Sequence, residues 1–180
     1  SIIKDMLLQH PTPPPPDFNH AILHLLPKKP SSVSQQLGPA YTPSNLRPIS
    51  VVNTDNRIVA SLLNLILTPF AERFCRPEQR GFLSGRYISS NIIDMDNAVR
   101  RALHKHPLGA LFLFDFSAAF PSLNHQYLFN ILKHIGVPDN FIRATQLLYQ
   151  DNVHQLKMGP ELFPSITLRS GVRQGCPMSP

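Results

Sequence analysis

A single carboxylate follows the most apolar stretch of the sequence. Residues 108–114 read LGALFLF, and Asp115 comes directly after them. An unbroken apolar run bounded by proline and glycine is typical of a strand that is buried on both faces. Asp115 is then predicted at the carboxyl end of that strand, where open α/β sheets place their ligand-binding groups.

The residues that follow Asp115 are mostly small, so backbone amides there can approach a bulky ligand. Phe116, Ser117, two alanines and Phe120 come next. Such a corner accepts an anion or a metal-bound polyphosphate. A helix cap is the competing interpretation, because an Asp or Ser often caps the helix that follows it. The residues alone leave both interpretations open.

The composition indicates a globular chain with a basic balance. The 180 residues are 42% hydrophobic, and 17 Lys and Arg against 11 Asp and Glu give a net charge of +6. This surplus suits a polyanionic partner, and it also suits an ordinary basic protein. Eleven of the 17 cations are arginines, whose planar donors fit phosphate groups.

The cysteines and the hydropathy pattern limit the other classes of protein. Cys75 and Cys176 lie far apart and form no CxxC pair, which excludes a disulfide framework or a zinc site by sequence. The sequence has neither a signal-peptide pattern nor an apolar run of about 18 residues. We therefore expect no membrane association and an intracellular location, in the nucleus or the cytoplasm.

Apolar periodicity and turn residues predict the elements that position Asp115. Strands are predicted at 21–26 and 47–52, and a hairpin at 153–168 with its turn at Gly159-Pro160. Helices are predicted at 53–74, at 124–135, at 138–149 and from Ser89 or Ser90, the last with Ile92, Val99 and Leu103 buried. Residues 3–9 are predicted as the end of a helix, and 31–45 and 169–180 as polar loops.

Four segments, in order, resemble the reverse transcriptase domain of non-LTR (LINE-type) retrotransposons and its group II intron relatives. They are LRPISVVN (46–53), PEQRGFLSGRYISSN (77–91), FLFDFSAAFPSLNH (112–125) and SGVRQGCPMSP (170–180). Each segment alone is a weak signal. Their order and separations together are specific, and they span about three quarters of the chain.

The resemblance implies an α+β fold, namely the fingers and part of the palm of a right-hand polymerase, with a mostly antiparallel palm sheet packed on helices. Residues 1–46 would form a Pro-rich N-terminal segment and the start of the fingers, and 47–107 the helical part of the fingers. Residues 108–180 would form a partial palm, from the Asp115 strand to the Gln-Gly motif. The second palm motif, an Asp-Asp hairpin, and the thumb are expected beyond the last residue.

The resemblance also implies a role for each matching residue. Asp115 would be the catalytic carboxylate that binds both magnesium ions, with the Phe116 carbonyl as a secondary ligand, since Mg²⁺ prefers hard oxygen ligands. The implied nucleotide-binding residues are Arg47, Lys28 (or Lys29), Ser117, Ala118, Ala119, Phe120, Gln174 and Gly175. Phe120 would pack under the sugar and exclude a 2′-hydroxyl group.

The implied function is RNA-directed DNA polymerisation, with an RNA template, a DNA primer and deoxynucleoside triphosphates as partners of the complete protein. This polypeptide alone is expected to be inactive. One alternative is a catalytically dead remnant that keeps a basic nucleic-acid-binding surface. Another is an unrelated α/β phosphotransferase or response-regulator-like domain, with Asp115 at the centre of a parallel sheet. The sequence does not predict an oligomeric state.

Overall fold

The computed structural model describes residues 13–180, so the helix end predicted at 3–9 lies outside the described residues. The chain divides into two compact units. The first contains the described residues up to Asn64 and Ala118–Pro180, and the second is Leu65–Ser117.

The elements follow one another in a mixed order of strands and helices. They are β1 (Ala21–Pro27), β2 (Ser32–Ser34), β3 (Gly38–Ala40), a 3₁₀ turn (Pro43–Asn45), β4 (Leu46–Val52), α1 (Thr54–Phe74), α2 (Ile88–Lys105), α3 (Ala119–Ser122), α4 (His125–His134), α5 (Asp139–Tyr149), β5 (Val153–Met158) and β6 (Glu161–Thr167). The described residues therefore form a mixed α/β fold, and none of their helices is long and apolar enough to cross a membrane.

A four-stranded sheet in the order β4-β1-β5-β6 organises the first unit. β1 runs antiparallel to β4 and parallel to β5, and β5 and β6 form an antiparallel hairpin. β2 and β3 pair separately as a short antiparallel ribbon. Because side chains alternate along a strand, Ser50 and Val52 of β4 are buried while Val51 between them is exposed.

The core of the first unit combines the covered face of the sheet with three helices. Its buried apolar side chains include Leu23, Val52, Val59, Ala60, Leu63, Leu132, Phe141, Ile142, Ala144 and Leu148. Asn19 secures the segment before β1, since its Nδ2 donates to the carbonyl oxygens of Leu147 at 2.7 Å and Gln150 at 2.6 Å. Asn56 Nδ2 donates to Asn19 Oδ1 at 2.9 Å, so this amide group links α1 to the end of α5.

Arginines organise the second unit. The guanidinium group of Arg86 donates to the carbonyl oxygens of Glu72, Arg76 and Gln79 at 3.1, 2.7 and 2.8 Å. It thereby satisfies carbonyls at and just beyond the C-terminal end of α1, which an ending helix leaves without a partner. Arg80 donates to Asn91 at 2.9 Å and pairs with Asp94, which holds the connecting segment against α2.

Most predicted elements are confirmed, with local corrections. Within residues 13–180, and apart from the strand at 108–114, the predicted strands, helices and hairpin lie within a few residues of their predicted bounds. The loop at 31–45 carries β2, β3 and the 3₁₀ turn, which the polar composition did not predict. The cap at Ser89 or Ser90 is wrong, because α2 begins at Ile88 and its N-cap is Tyr87. The buried face of α2 is wrong too, since none of its residues is buried.

The buried strand at 108–114 is the main correction. These residues form no strand, and Leu108 and Phe114 are 100% and 95% exposed. An apolar run becomes a strand only when a neighbouring strand supplies backbone partners, and in the described part of the chain none pairs with it. The β5–β6 hairpin lies beside β1 and not beside an Asp115 strand, and the parallel sheet centred on Asp115 is equally contradicted.

Candidate active site

Two of the four resembling segments, 46–53 and 170–180, meet in the first unit together with the part of 112–125 that begins at Ala118. The loop 169–180 is held on one side by β4, where Ser50 N donates to the Gln174 carbonyl at 2.9 Å. On the other side Val172 N donates to the Phe120 carbonyl at 2.8 Å, and Gly171 N donates to the Leu123 carbonyl at 2.7 Å. The backbones of Gln174 and Phe120, far apart in sequence, are therefore joined through a single loop.

Two glycines allow this close approach. Gly175 has a φ of +111°, and a Cβ atom there would lie 2.8 Å from the Ser50 carbonyl oxygen. Gly171 has a φ of +80°, and its Cβ would lie 2.7 Å from the Pro121 carbonyl oxygen. Both the backbone conformation and the space therefore demand glycine. The Gln-Gly motif is thus fixed sterically against β4.

The tight corner before Phe120 is formed by backbone, not by a capping side chain. Ala118 has a φ of +53° and is the N-cap of α3, with no side-chain hydrogen bond to the helix. The interpretation of Asp115 or Ser117 as a helix cap is therefore wrong. A left-handed alanine costs about 1 kcal/mol or more, so its neighbours must hold it. Ser122 N contributes, donating to the Ala118 carbonyl at 3.1 Å.

The two predicted fingers cations lie at the same end of the β1–β4 pair. Arg47 of β4 is exposed and stands opposite Leu26 of β1. Lys28 follows β1, and its backbone N–H donates to the Asn45 carbonyl, two residues before Arg47, at 2.9 Å. Lys28 and Lys29 are both exposed, so the positions do not distinguish between them.

Asp115, Phe116 and Ser117 belong to the second unit, whereas the other predicted site residues belong to the first. Asp115 is exposed, and among residues 13–180 no cation forms an ion pair with it. Within that part of the chain no group of three or more His, Cys, Asp or Glu side chains could hold a metal ion. A free carboxylate followed by a backbone carbonyl still fits Mg²⁺, which commonly takes one or two protein carboxylates together with water and substrate phosphates.

A buried polar cluster lies behind the Gln-Gly loop. Arg173 is 2% exposed, and its Nη2 donates to the Leu148 carbonyl at 3.2 Å. His154 is fully buried, with Nδ1 3.2 Å from Ser50 Oγ and Nε2 3.0 Å from Asn152 Oδ1. Because Asn152 Oδ1 can only accept, Nε2 carries the proton and Nδ1 accepts from the Ser50 hydroxyl.

The cluster keeps His154 uncharged. Burial, and secondly the positive charge of Arg173, lowers the pKa of His154 to about 4. Burial also raises the pKa of Tyr149 to about 12. At neutral pH Arg173 is therefore a cation among neutral groups.

Comparison with known proteins decides the family. The reverse transcriptase (RNA-dependent DNA polymerase) family profile matches residues 26–180. The chain belongs to this family. It is 31% identical over 169 residues, 92% of the chain, to the 149 kDa protein of transposon TX1 from Xenopus laevis. It is 32% identical over 146 residues, 78% of the chain, to the Pol polyprotein of the type-2 retrotransposable element R2DM from Drosophila melanogaster.

A third relative, the Pol polyprotein of the type-1 retrotransposable element R2 from Popillia japonica, is 26% identical over 79% of the chain. The resemblance to non-LTR retrotransposon reverse transcriptases is thus confirmed. This reverse transcriptase domain spans 12%, 13% and 20% of the three relatives' lengths.

Sequence reasoning missed the polar cluster of this reverse transcriptase domain. An arginine in a Gly-rich polar loop reads as a surface charge, yet Arg173 is buried. A usable signal existed for His154, because Asn152, His154 and Leu156 are spaced by two residues and so lie on the same face of an extended segment. Asn152 and His154 are indeed both buried.

We expect the free energy of unfolding of this domain to fall as the pH drops from about 6.5 to about 4. The folded pKa of His154 is about 4, against 6.5 for an ordinary histidine, so the unfolded chain takes up the proton first. This contribution is complete above pH 6.5, and its loss approaches about 3 kcal/mol near pH 4. Urea unfolding at a series of pH values measures it.

Carboxylates titrate in the same pH range, so the readout is a difference between variants. His154→Gln should remove the histidine contribution to the pH dependence. His104→Gln, at an exposed position on α2, should retain it. A pH dependence that His154→Gln leaves unchanged would contradict the assignment of the shifted pKa.

Proposed function

We propose that the complete protein copies RNA into DNA by metal-dependent nucleotidyl transfer, with an RNA template, a DNA primer and deoxynucleoside triphosphates as substrates. Family membership supports this reaction class. The observation that carries it is the attachment of the Gln174 loop to both Phe120 and β4, because these segments must converge if they bind one nucleotide. We also propose that it acts in the nucleus or cytoplasm, where RNA and these triphosphates occur.

We propose a right-hand arrangement for this domain. Residues 1–46 would begin the fingers, 47–107 would form their helical part, and 108–180 would form the palm up to the Gln-Gly motif. The antiparallel β1–β4 pair supports a fingers role because exposed cations lie at one end of it: Arg47 is in β4, and Lys28 directly follows β1.

Asp115 would hold the metal ions through its carboxylate, with the Phe116 carbonyl as an additional ligand. Two Mg²⁺ ions, when bound, stabilise the charge on the attacking and leaving oxygens of the phosphoryl group. Arg47 and Lys28 would bind the triphosphate by charge-assisted hydrogen bonds. The chain's part in the reaction is then positioning and charge neutralisation, which phosphoryl transfer chiefly requires.

The remaining predicted residues would bind the nucleotide through backbone amides and through packing contacts. The amides of Ser117, Ala118 and Ala119 would face the triphosphate, and the left-handed turn at Ala118 supports a tight corner there. Phe120 would contact the sugar, while Gln174 and Gly175 would pack against the base pair that is being formed.

Primer extension by a protein expressed from the complete reading frame tests the proposal. A primed RNA template with deoxynucleoside triphosphates and Mg²⁺ should yield DNA, and chelation by EDTA should stop the synthesis. Template binding should weaken as salt rises, because phosphate contacts release counterions. Salt-dependent binding without any extension would instead favour a nucleic-acid-binding remnant.

Replacing Phe120 with alanine should raise the use of ribonucleotides relative to deoxyribonucleotides about ten- to a hundredfold, because the side chain that excludes the 2′-hydroxyl is removed. The measurement is the ratio of kcat/KM values for matched ribo- and deoxyribonucleoside triphosphates. Phe82→Ala, at an exposed position, should keep the original ratio. An unchanged ratio in Phe120→Ala would remove Phe120 from the sugar site.

A further inference from the structure

We propose that Arg173 is a positioning residue, which holds Gln174 and Gly175 in place against β4 from beneath the loop. Arg173 and Gln174 are adjacent in sequence, but they form hydrogen bonds with different elements. Arg173 contacts the end of α5, and Gln174 contacts β4. The inference rests on the proposed function for its effect on catalysis, since Gln174 is the residue assigned to the nucleotide. Its structural part can be tested without any polymerase reaction.

Arg173 is buried without a compensating charge. The residue is 2% exposed, and within residues 13–180 no carboxylate pairs with it. Its Nε and Nη1 are buried with no hydrogen-bond partner. A buried charge without an opposite charge costs several kcal/mol. An apolar side chain of similar volume would fill this space at lower cost if packing were all that the position required.

The hydrogen bond of the Arg173 side chain attaches the loop to the end of α5. Arg173 Nη2 donates to the Leu148 carbonyl, which lies in the last turn of α5, where carbonyls lack helical partners and the helix dipole favours a cation. The next residue, Gln174, accepts at its carbonyl from Ser50 N of β4. Consecutive residues thus attach the loop to a helix end and to a strand.

The surrounding backbone leaves this loop little freedom to move. Cys176 N donates to the Arg173 carbonyl at 3.3 Å, closing a turn around Gln174. Gly175 packs directly on the Ser50 carbonyl. Loss of the Arg173 side chain should therefore release the turn from α5 and weaken the Ser50–Gln174 hydrogen bond first.

Amide hydrogen exchange, measured by NMR on the 180-residue chain, tests the structural part. In Arg173→Met the Ser50 amide should exchange at least about tenfold faster, because its acceptor carbonyl becomes mobile. The Leu168 amide, which donates to the Asn152 carbonyl at 2.9 Å, should keep its rate. Arg173→Lys should give an intermediate rate, since an ammonium group can still donate to Leu148.

The control variant is Arg169→Met, which removes an exposed cation from the same loop and should change neither amide. The His154 pKa should rise in Arg173→Met, because a nearby positive charge has been removed. Equal acceleration of the Ser50 and Leu168 amides would indicate a general loss of stability and overturn the proposal. An unchanged Ser50 rate in both Arg173 variants would overturn it as well.

Kinetics of the complete protein test the effect on the reaction. Arg173→Lys should raise the KM for deoxynucleoside triphosphates about tenfold with a smaller change in kcat, because a misplaced Gln174 weakens nucleotide binding. Faster Ser50 exchange with unchanged KM and kcat would overturn the catalytic part of the proposal. A wild-type protein that makes no DNA would instead refute the proposed function, while the exchange experiment would still decide how Gln174 is held.

Discussion

Asp115→Asn in the complete protein is expected to lower primer extension by about 10³-fold or more, because a neutral amide cannot replace a carboxylate that holds metal ions. The substitution keeps the size and one oxygen of the side chain, and Asp115 is exposed, so folding should be unaffected. Affinity for the primed template should stay within about twofold, since phosphate contacts to Lys and Arg supply most of it. Extension rates and template binding are measured on the same preparation.

Asp151→Asn is the matched control for this experiment. Asp151 is exposed and has a φ of +47°, a conformation that asparagine tolerates well. We expect full extension activity from this variant. Extension by Asp115→Asn at near the wild-type rate would contradict the metal assignment, even if the protein proved to be a polymerase.

Gly175→Ala is expected to destabilise the fold by about 2–4 kcal/mol, from a left-handed backbone and a steric clash together. The new Cβ would lie 2.8 Å from the Ser50 carbonyl oxygen at a φ of +111°. The contact atom is backbone within β4, so it cannot turn aside as a flexible side chain would. The free energy of unfolding in urea measures the loss.

Gly136→Ala separates the two contributions. Gly136 has a φ of +82°, and nothing lies within 4 Å of its added Cβ. This variant should lose only the conformational part, about 1 kcal/mol. Equal losses in the two variants would show that the loop moves away from β4 at little cost, and the fixed position of the Gln-Gly motif would have to be abandoned.

Local sequence patterns predicted the elements whose apolar faces are buried within the first unit. The helical spacing that includes Val59 and Leu63 predicts a helix, and both side chains are buried in it. The extended segment at 47–52 and the hairpin at 153–168 are also confirmed as strands. Asn124 caps α4 by accepting from Tyr127 N at 3.0 Å, close to the predicted helix start. Residue spacing and helix-capping residues depend only on neighbouring positions, so they can be recognised in a single sequence without knowledge of the tertiary fold.

The failures share a physical cause. Residues 108–114 and the apolar stripe of α2 have the composition of buried segments, yet Leu108, Phe114 and Ile92 are exposed. A hydrophobic pattern indicates which surfaces gain stability when they are buried, but it does not indicate which other part of the protein buries them. The partner that a strand or an amphipathic helix needs is a property of the tertiary fold.

The candidate site was predicted unevenly for a related reason. The resemblance assigned Phe120, Gln174 and Gly175 to one nucleotide site, and in the structure all three lie in the first unit, where hydrogen bonds join positions far apart in sequence. It attached no role to Arg173, His154 or Asn152, because buried polar groups have no hydrophobic period to reveal them. The two-residue spacing of Asn152 and His154 predicts that they share a face of an extended segment, but it does not predict that this face is buried.

The parallel pairing of β1 with β5 has a consequence for synthesis on the ribosome. Ala21 pairs with His154, so β1 and β4 emerge and can form their hairpin while most of the chain is still untranslated. Until β5 has been synthesised, the β1 edge of that strand pair has unpaired backbone N–H and C=O groups, which can pair with a strand of another molecule. A chaperone that shields this edge in the nascent polypeptide should therefore raise the yield of native protein more than one that acts after release.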